Sequence, residues 1–343
     1  MRFRSRGLAI GSAASVAFAV LASGAVTATP TAKAPAVAPA GPKLKLLWSE
    51  EFNDKFGIPP TVQTSQRRPN KKYNWTTEVT GNPNNAERQY YTDAVVEYTA
   101  AGKVAHYAIE VDGKGNLALN ARAPKFKTKT AKSTYPPLDC RYGRCEWVSG
   151  RMNTQGKLGF MYGKLEARIK LPEGDGTWPA FWMLGANIER VNWPSCGELD
   201  IMEASAFQRY GSMFGSLHSQ PDDGFGISSS AYPDDFYTKY HTYGVVWTKD
   251  RIDFLSDGQV YNSVTKADMT SRANAVKTEY GVQKRTWPFN AEFFIILNLA
   301  MGGSLGGDPD DEFKVPAGAK GGSMLVDWIR YYSVDGVGKV IRH

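Results

Sequence analysis

From Lys164 to Leu171 the chain reads Lys-Leu-Glu-Ala-Arg-Ile-Lys-Leu, an unbroken polar/apolar alternation. Side chains two apart share a face of a β-strand, so this run buries one face and wets the other, and it has no helical stripe. Similar runs recur. Trp48 to Phe52, Gln89 to Thr92, Leu117 to Ala121, Tyr162 to Leu171, Ala180 to Leu184, Glu198 to Ala204, Ser212 to His218, Tyr243 to Trp247, Arg251 to Ser256, Glu292 to Ala300 and Met324 to Ser333 are all expected strands. Turn residues separate them, as in Asp112-Gly113-Lys114-Gly115-Asn116 and Ser256-Asp257-Gly258-Gln259. The best candidate for a helix is a short one over Ala267 to Glu279. Many short strands with frequent turns predict an all-β sandwich or barrel. One domain from residue 44 to 335 is the economical division, with 336–343 as a C-terminal tail.

Within this pattern, Glu198-Leu199-Asp200-Ile201-Met202-Glu203 sets three acids into an apolar strand. Glu198 and Asp200 share a face; Glu203, five residues from Glu198, has the wrong parity. One extra residue, a β-bulge at Ile201-Met202, restores it to that face. Like charges crowded on one face repel, so a solvated edge strand is the plain reading and chemistry the sharper one. Paired carboxylates of this kind suit glycoside hydrolysis, one attacking the sugar while the other protonates the leaving oxygen. Asp200 between them could share a proton and keep its neighbour's proton affinity high.

The first residues belong to targeting. Arg2, Arg4 and Arg6 precede an Ala-rich apolar run from Leu8 to Ala28, and Ala32-Lys33-Ala34 has the form of a cleavage site. Residues 1–34 therefore read as a secretory signal peptide, and 35–43 as a Pro/Ala linker. Without the signal, 37 basic residues stand against 34 acids. This balance gives no nucleic-acid signature, and no later stretch suggests a membrane span. Cys140 and Cys145 are spaced for a local disulfide, plausible in an exported protein. Cys196 then remains a single thiol with a packing role.

A second functional clue precedes the acids. Trp178 and Trp182 lie four apart in Gly176-Thr177-Trp178-Pro179-Ala180-Phe181-Trp182-Met183-Leu184. In a strand they share a face with Ala180, while Phe181 and Met183 enter the core. Flat indoles offer large, rigid surfaces on which sugar rings stack; the bland alternative is that both are core residues.

Taken in order, these segments resemble glycoside hydrolase family 16, in its bulged-strand branch of laminarinase-like endo-β-1,3-glucanases. Leu47-Trp48-Ser49-Glu50-Glu51-Phe52-Asn53, Asn85-Ala86-Glu87-Arg88-Gln89-Tyr90-Tyr91-Thr92, Ser149-Gly150-Arg151-Met152, Asn298-Leu299-Ala300-Met301-Gly302-Gly303 and Val326-Asp327-Trp328-Ile329-Arg330-Tyr331-Tyr332 carry the resemblance with the Trp and acid segments. It implies a β-jelly-roll of two curved antiparallel sheets with substrate on the concave face. It implies Glu198 as nucleophile, Glu203 as acid/base and Asp200 as the assisting carboxylate. Asn85, Arg151, Trp178 and Trp182 would contact glycone sugars, and His218 would stand near the acid/base, orienting it or binding sugar. His106 and His241 are read as structural. Catalysis would need no cofactor; a structural calcium would take Glu51, Asp327 and the Gly115 carbonyl. The expected partner is a β-glucan polysaccharide, met by a secreted monomer. A long insert around 125–147 and the Gly/Asp-rich segment Asn298–Asp311 leave the linkage open. A galactan hydrolase of the same fold and a non-catalytic glucan-binding protein are the other readings.

Overall fold

The computed structural model describes residues 41–123, 139–141, 143–205, 212–222, 224, 226–307, 319 and 321–343. The expected signal peptide, most of the linker and insert, and part of the Asn298–Asp311 segment lie outside them.

Two large sheets carry the fold. In the first, the strands run in the order Ile227–Ala231, Met213–His218, Glu198–Ala204, Thr177–Gly185, Phe293–Met301, Arg151–Asn153, Trp75–Thr77 and Val62–Gln63. Leu158–Met161 extends it by pairing with the start of Phe293–Met301. The second runs Gln259–Thr265, Arg251–Ser256, His241–Trp247, Gly163–Lys170, Gly322–Val334, Leu117–Ala121 and Ile109–Val111, with Leu44–Glu50 also on Gly322–Val334. Strand Gly163–Lys170 alternates buried and half-buried residues along its whole length, as its sequence requires.

Apolar side chains from both sheets form one core. Phe181, Met183, Leu199, Leu217, Ile295 and Leu297 of the first join Leu165, Ala167, Tyr243, Val245, Val326 and Ile329 of the second. Burial of this interior is the main stabilising term, and it leaves the other face of each sheet for polar residues. The arrangement is the expected all-β sandwich.

Two expectations change. The helix over Ala267 to Glu279 is a single turn, Lys266–Met269, closed by a capping box between Thr265 and Asp268. Only Met269 is buried in it, so no apolar stripe carries the helix further; Val276–Thr278 instead pairs with Gly281–Gln283. The supposed tail forms a strand, Lys339–Arg342, on Leu158–Met161. Asp335 and Gly336 both have positive φ, and Val334 and Val337 bridge across them. That is the Asp-Gly hairpin signal, and it returns the chain to the sheet.

Candidate active site

Gly197 feeds the acidic strand with φ +83°, and a Cβ there would meet the Pro288 side chain at 2.6 Å. Only glycine suits both the conformation and the space. The strand then pairs Glu198 with Leu184 and His218, Asp200 with Trp182 and Ser216, and Glu203 with Ala180 and Phe214. Between Asp200 and Glu203 the register shifts on both sides. Ile201 and Met202 together oppose Gly215, and both are fully buried. The bulge therefore lies where the sequence placed it and brings the three acids to one face.

Each terminal glutamate is held by an indole. Trp178 Nε1 donates to Glu203 Oε1 at 2.8 Å, and Trp193 Nε1 donates to Glu198 Oε2 at 3.1 Å. Asp200 Oδ2 is buried and, among the described residues, accepts no hydrogen bond; His218 Nε2 stands 3.4 Å away. The same nitrogen is 4.0 Å from Glu198 Oε1. His218 Nε2 thus stands against Glu198 and Asp200, and the Glu203 charge is also felt at the ring. Antiparallel register decides this, since His218 ends its strand opposite the residue that begins the acidic one.

Proton affinities follow from the crowding. Burial pushes Glu198 up from 4.5 to about 7; the Glu203 and Asp222 charges add to the rise, while His218 and the Trp193 hydrogen bond oppose it. Asp200 is raised well above the usual range by burial, then by the charges of Glu198, Glu203 and Asp222. Glu198 and Asp200 therefore hold protons to higher pH than isolated carboxylates would. Burial alone would lower His218, but its hydrogen bond to Asp222 and the Glu198 charge outweigh that and raise it.

Trp178, Ala180 and Trp182 lie on the acid face, with Phe181 and Met183 in the core, as expected. Trp182 Nε1 donates to Asn298 Oδ1 at 2.7 Å. The Arg151 guanidinium lies over the Trp182 ring at 5.1 Å and the Tyr91 ring at 5.8 Å, with Nε 3.0 Å from Glu78. Arg151 is therefore braced between two aromatic faces and a carboxylate, more committed than a lone sugar donor would be. Asn298 Nδ2 donates to the Tyr91 hydroxyl, which donates to buried Glu87. Asn85 is exposed with φ +56°, and its carbonyl accepts the Ser304 amide. The turn Gly303–Gly306 fits between Asn85 and Trp178.

Two of the residues expected to hold calcium, Glu51 and Asp327, are engaged with arginines. Glu51 makes two hydrogen bonds with Arg330, at 3.0 and 2.8 Å, and Asp327 accepts one from Arg168. A cation there would have to displace both guanidinium groups. At the acid face, Glu198, Asp200 and His218 place donor atoms within 4.8 Å of one another. A ligating imidazole offers a lone pair from a neutral ring, whereas the neighbouring carboxylates favour the protonated ring here.

Sequence reading assigned no role to Trp193, Asp222, Arg285 or Tyr91. The Trp-Pro pair five residues before Glu198 was a usable signal for Trp193; the others are defined by contacts between distant segments. Cys140 and Cys145 form the expected disulfide, and Cys196 is free and buried. His106 and His241 bind Glu110 and Asp257, in keeping with structural roles.

Comparison with known proteins points to one family and fold. The profile of "Glycosyl hydrolases family 16" matches residues 98–292. A beta-glucanase from Rhodothermus marinus is 31% identical over 298 residues, covering 85% of this chain and 86% of that protein. Glucan endo-1,3-beta-glucosidase A1 from Niallia circulans is 31% identical over 301 residues; the match covers 86% of this chain but only 38% of that protein's length. The crystal structure of laminarinase from Flavobacterium sp. UMI-01 superposes with a TM-score of 0.61 at 31% identity, covering 84% of this chain and all of that one.

Proposed function

The chain belongs to glycosyl hydrolase family 16, and from that premise we propose that it is a secreted, retaining endo-β-1,3-glucanase acting on laminarin-type β-glucan. One observation carries the reading: the bulge puts Glu198 and Glu203 on one face, each oriented by an indole N–H. Glu198 attacks the anomeric carbon while Glu203 gives its proton to the departing glycosidic oxygen. Glu203 then takes a proton from water, which displaces Glu198 from the sugar, so configuration is retained through two inversions. Asp200, beside Glu198 and rich in proton affinity, limits the negative charge facing the nucleophile. Trp178 and Trp182 supply stacking surface, and Asn85 and Arg151 border it. The N-terminal leader supports export, and the Cys140–Cys145 disulfide suits an oxidising medium. The relatives' names supply the β-1,3-glucan preference.

The test is a substrate panel of laminarin, mixed-linkage β-glucan, agarose and β-1,3-galactan, followed by reducing ends, product sizes and the anomeric proton signal. Internal cleavage of laminarin with the β anomer appearing first is expected. Preferred cleavage of a galactan would overturn the substrate, and an initial α anomer would overturn the double displacement.

Trp182→Ala should lower kcat/KM on laminarin about tenfold, mainly through KM, since an aromatic platform contributes about 1 kcal/mol or more beyond its area. An unchanged KM would remove Trp182 from the sugar-binding surface.

A further inference from the structure

Behind His218 runs a buried line of charge that the double displacement leaves without a role. Asp222 and Arg285 are nearly as buried as core residues, with side chains 4% and 3% exposed. Asp222 Oδ2 lies 2.9 Å from His218 Nδ1, and Arg285 Nη1 donates to Asp222 Oδ1 at 3.3 Å and to the Pro221 carbonyl at 3.0 Å. The two segments are joined again by Thr286 N–H to the Gln220 carbonyl and Ser219 Oγ to the Thr286 carbonyl. On its other edge, His218 Nε2 faces Asp200 Oδ2 at 3.4 Å and Glu198 Oε1 at 4.0 Å. The Trp193 ring lies 6.3 Å from the His218 ring. Gly226 packs so close that a Cβ there would come within 2.9 Å of His218 Cε1.

We propose that Asp222 and Arg285 are positioning residues that hold His218 as an imidazolium, with its Nε2 proton aimed at Asp200 and Glu198. Arginine is always charged, so Arg285 keeps Asp222 ionised. Ionised Asp222 accepts only, so Nδ1 of His218 must carry a proton. A neutral ring would then turn a bare lone pair toward the ionised nucleophile Glu198, and a second proton replaces that repulsion with an attraction while Asp200 stays its nearest neighbour. The charged groups facing the ring among the described residues are Glu198, Asp200, Glu203, Asp222 and, one step behind, Arg285, so acids dominate. Reading along the line, charge alternates from Arg285 to Asp222 to His218 to Glu198. A nucleophile in a buried site keeps its charge because the imidazolium faces it. When Glu198 becomes an ester in the glycosyl-enzyme, the imidazolium retains Asp200 as partner. This rests on Glu198 being the nucleophile.

The chain has four histidines, so ¹⁵N spectra of the rings are tractable, with His218 assigned by its loss in His218→Gln. In the wild-type protein both His218 nitrogens should be protonated at pH 7. In Asp222→Asn the ring should be neutral at that pH. The acid limb of kcat/KM should move about one pH unit upward in Asp222→Asn, because losing the imidazolium lets Glu198 hold its proton longer. That is about a tenfold loss on the acid side, with recovery to within about twofold at high pH; Asp222→Glu should restore much of the limb. A neutral His218 in the wild type overturns the proposal even if no variant folds. An unmoved limb, or an equal loss at every pH, overturns it too. Failure of the wild type to cleave glucan would count against the proposed function instead, since the ring spectra read the imidazolium alone.

Discussion

Glu198→Gln and Glu203→Gln should each reduce laminarin hydrolysis by three or more orders of magnitude while leaving the fold intact. Removing a nucleophile closes the covalent route, and removing a general acid costs on the order of 10²–10⁴-fold. The fold should survive because each glutamine keeps an oxygen for its indole donor, Trp193 or Trp178. The two losses should also differ in kind. With a dinitrophenyl glycoside, whose leaving group needs no proton, Glu203→Gln should recover much of its first step, and Glu198→Gln should not. Azide added to Glu198→Gly should give the α-glycosyl azide, by a single inversion at a site with room for the anion. Near-wild-type turnover of laminarin by either glutamine variant would sink the assignment, and β-azide from Glu198→Gly would exchange the two roles.

What the sequence reveals here depends on whether the signal is local. The bulge was legible because Ile201 and Met202 are both apolar where alternation allows one, and burial of both is the structural counterpart. The partners of His218 were not legible. They depend on which residue of the neighbouring strand it opposes, and a bulge shifts that count by one. Asp222 and Arg285 are 63 residues apart and meet only in the folded chain. The same limit hid the last strand: Lys339–Arg342 has weak periodicity, and its partner Leu158–Met161 lies far back in the sequence. Asp335-Gly336 was the local cue that could have revealed it. Ala267 to Glu279 failed in the opposite direction, since helix formers without a buried stripe sustain only one turn.

Glu198→Gln should also raise stability at high pH, and this separates the charge of the nucleophile from its chemistry. In the folded protein Glu198 binds its proton more tightly than in the unfolded chain, with a pKa of about 7 against 4.5. Its contribution is therefore fully present below pH about 4.5 and is lost as pH rises through 7. Above that, the ionised, buried carboxylate costs up to about 3 kcal/mol relative to its protonated form. Glutamine does not ionise. The variant should be close to wild type at pH 4 and more stable by a few kcal/mol at pH 8, a rise in Tm of about 5 °C or more. Urea or thermal unfolding at pH 4, 6 and 8 would measure it. A stability difference that stays constant with pH would mean that Glu198 is not strained by burial. If Glu198→Gln instead loses stability only at pH 8, the attraction between Glu198 and His218 exceeds the cost of burying the charge. The expected sign follows from the geometry: three acids share one face because a bulge forces them together, and the core beneath them, not their mutual contact, holds them there.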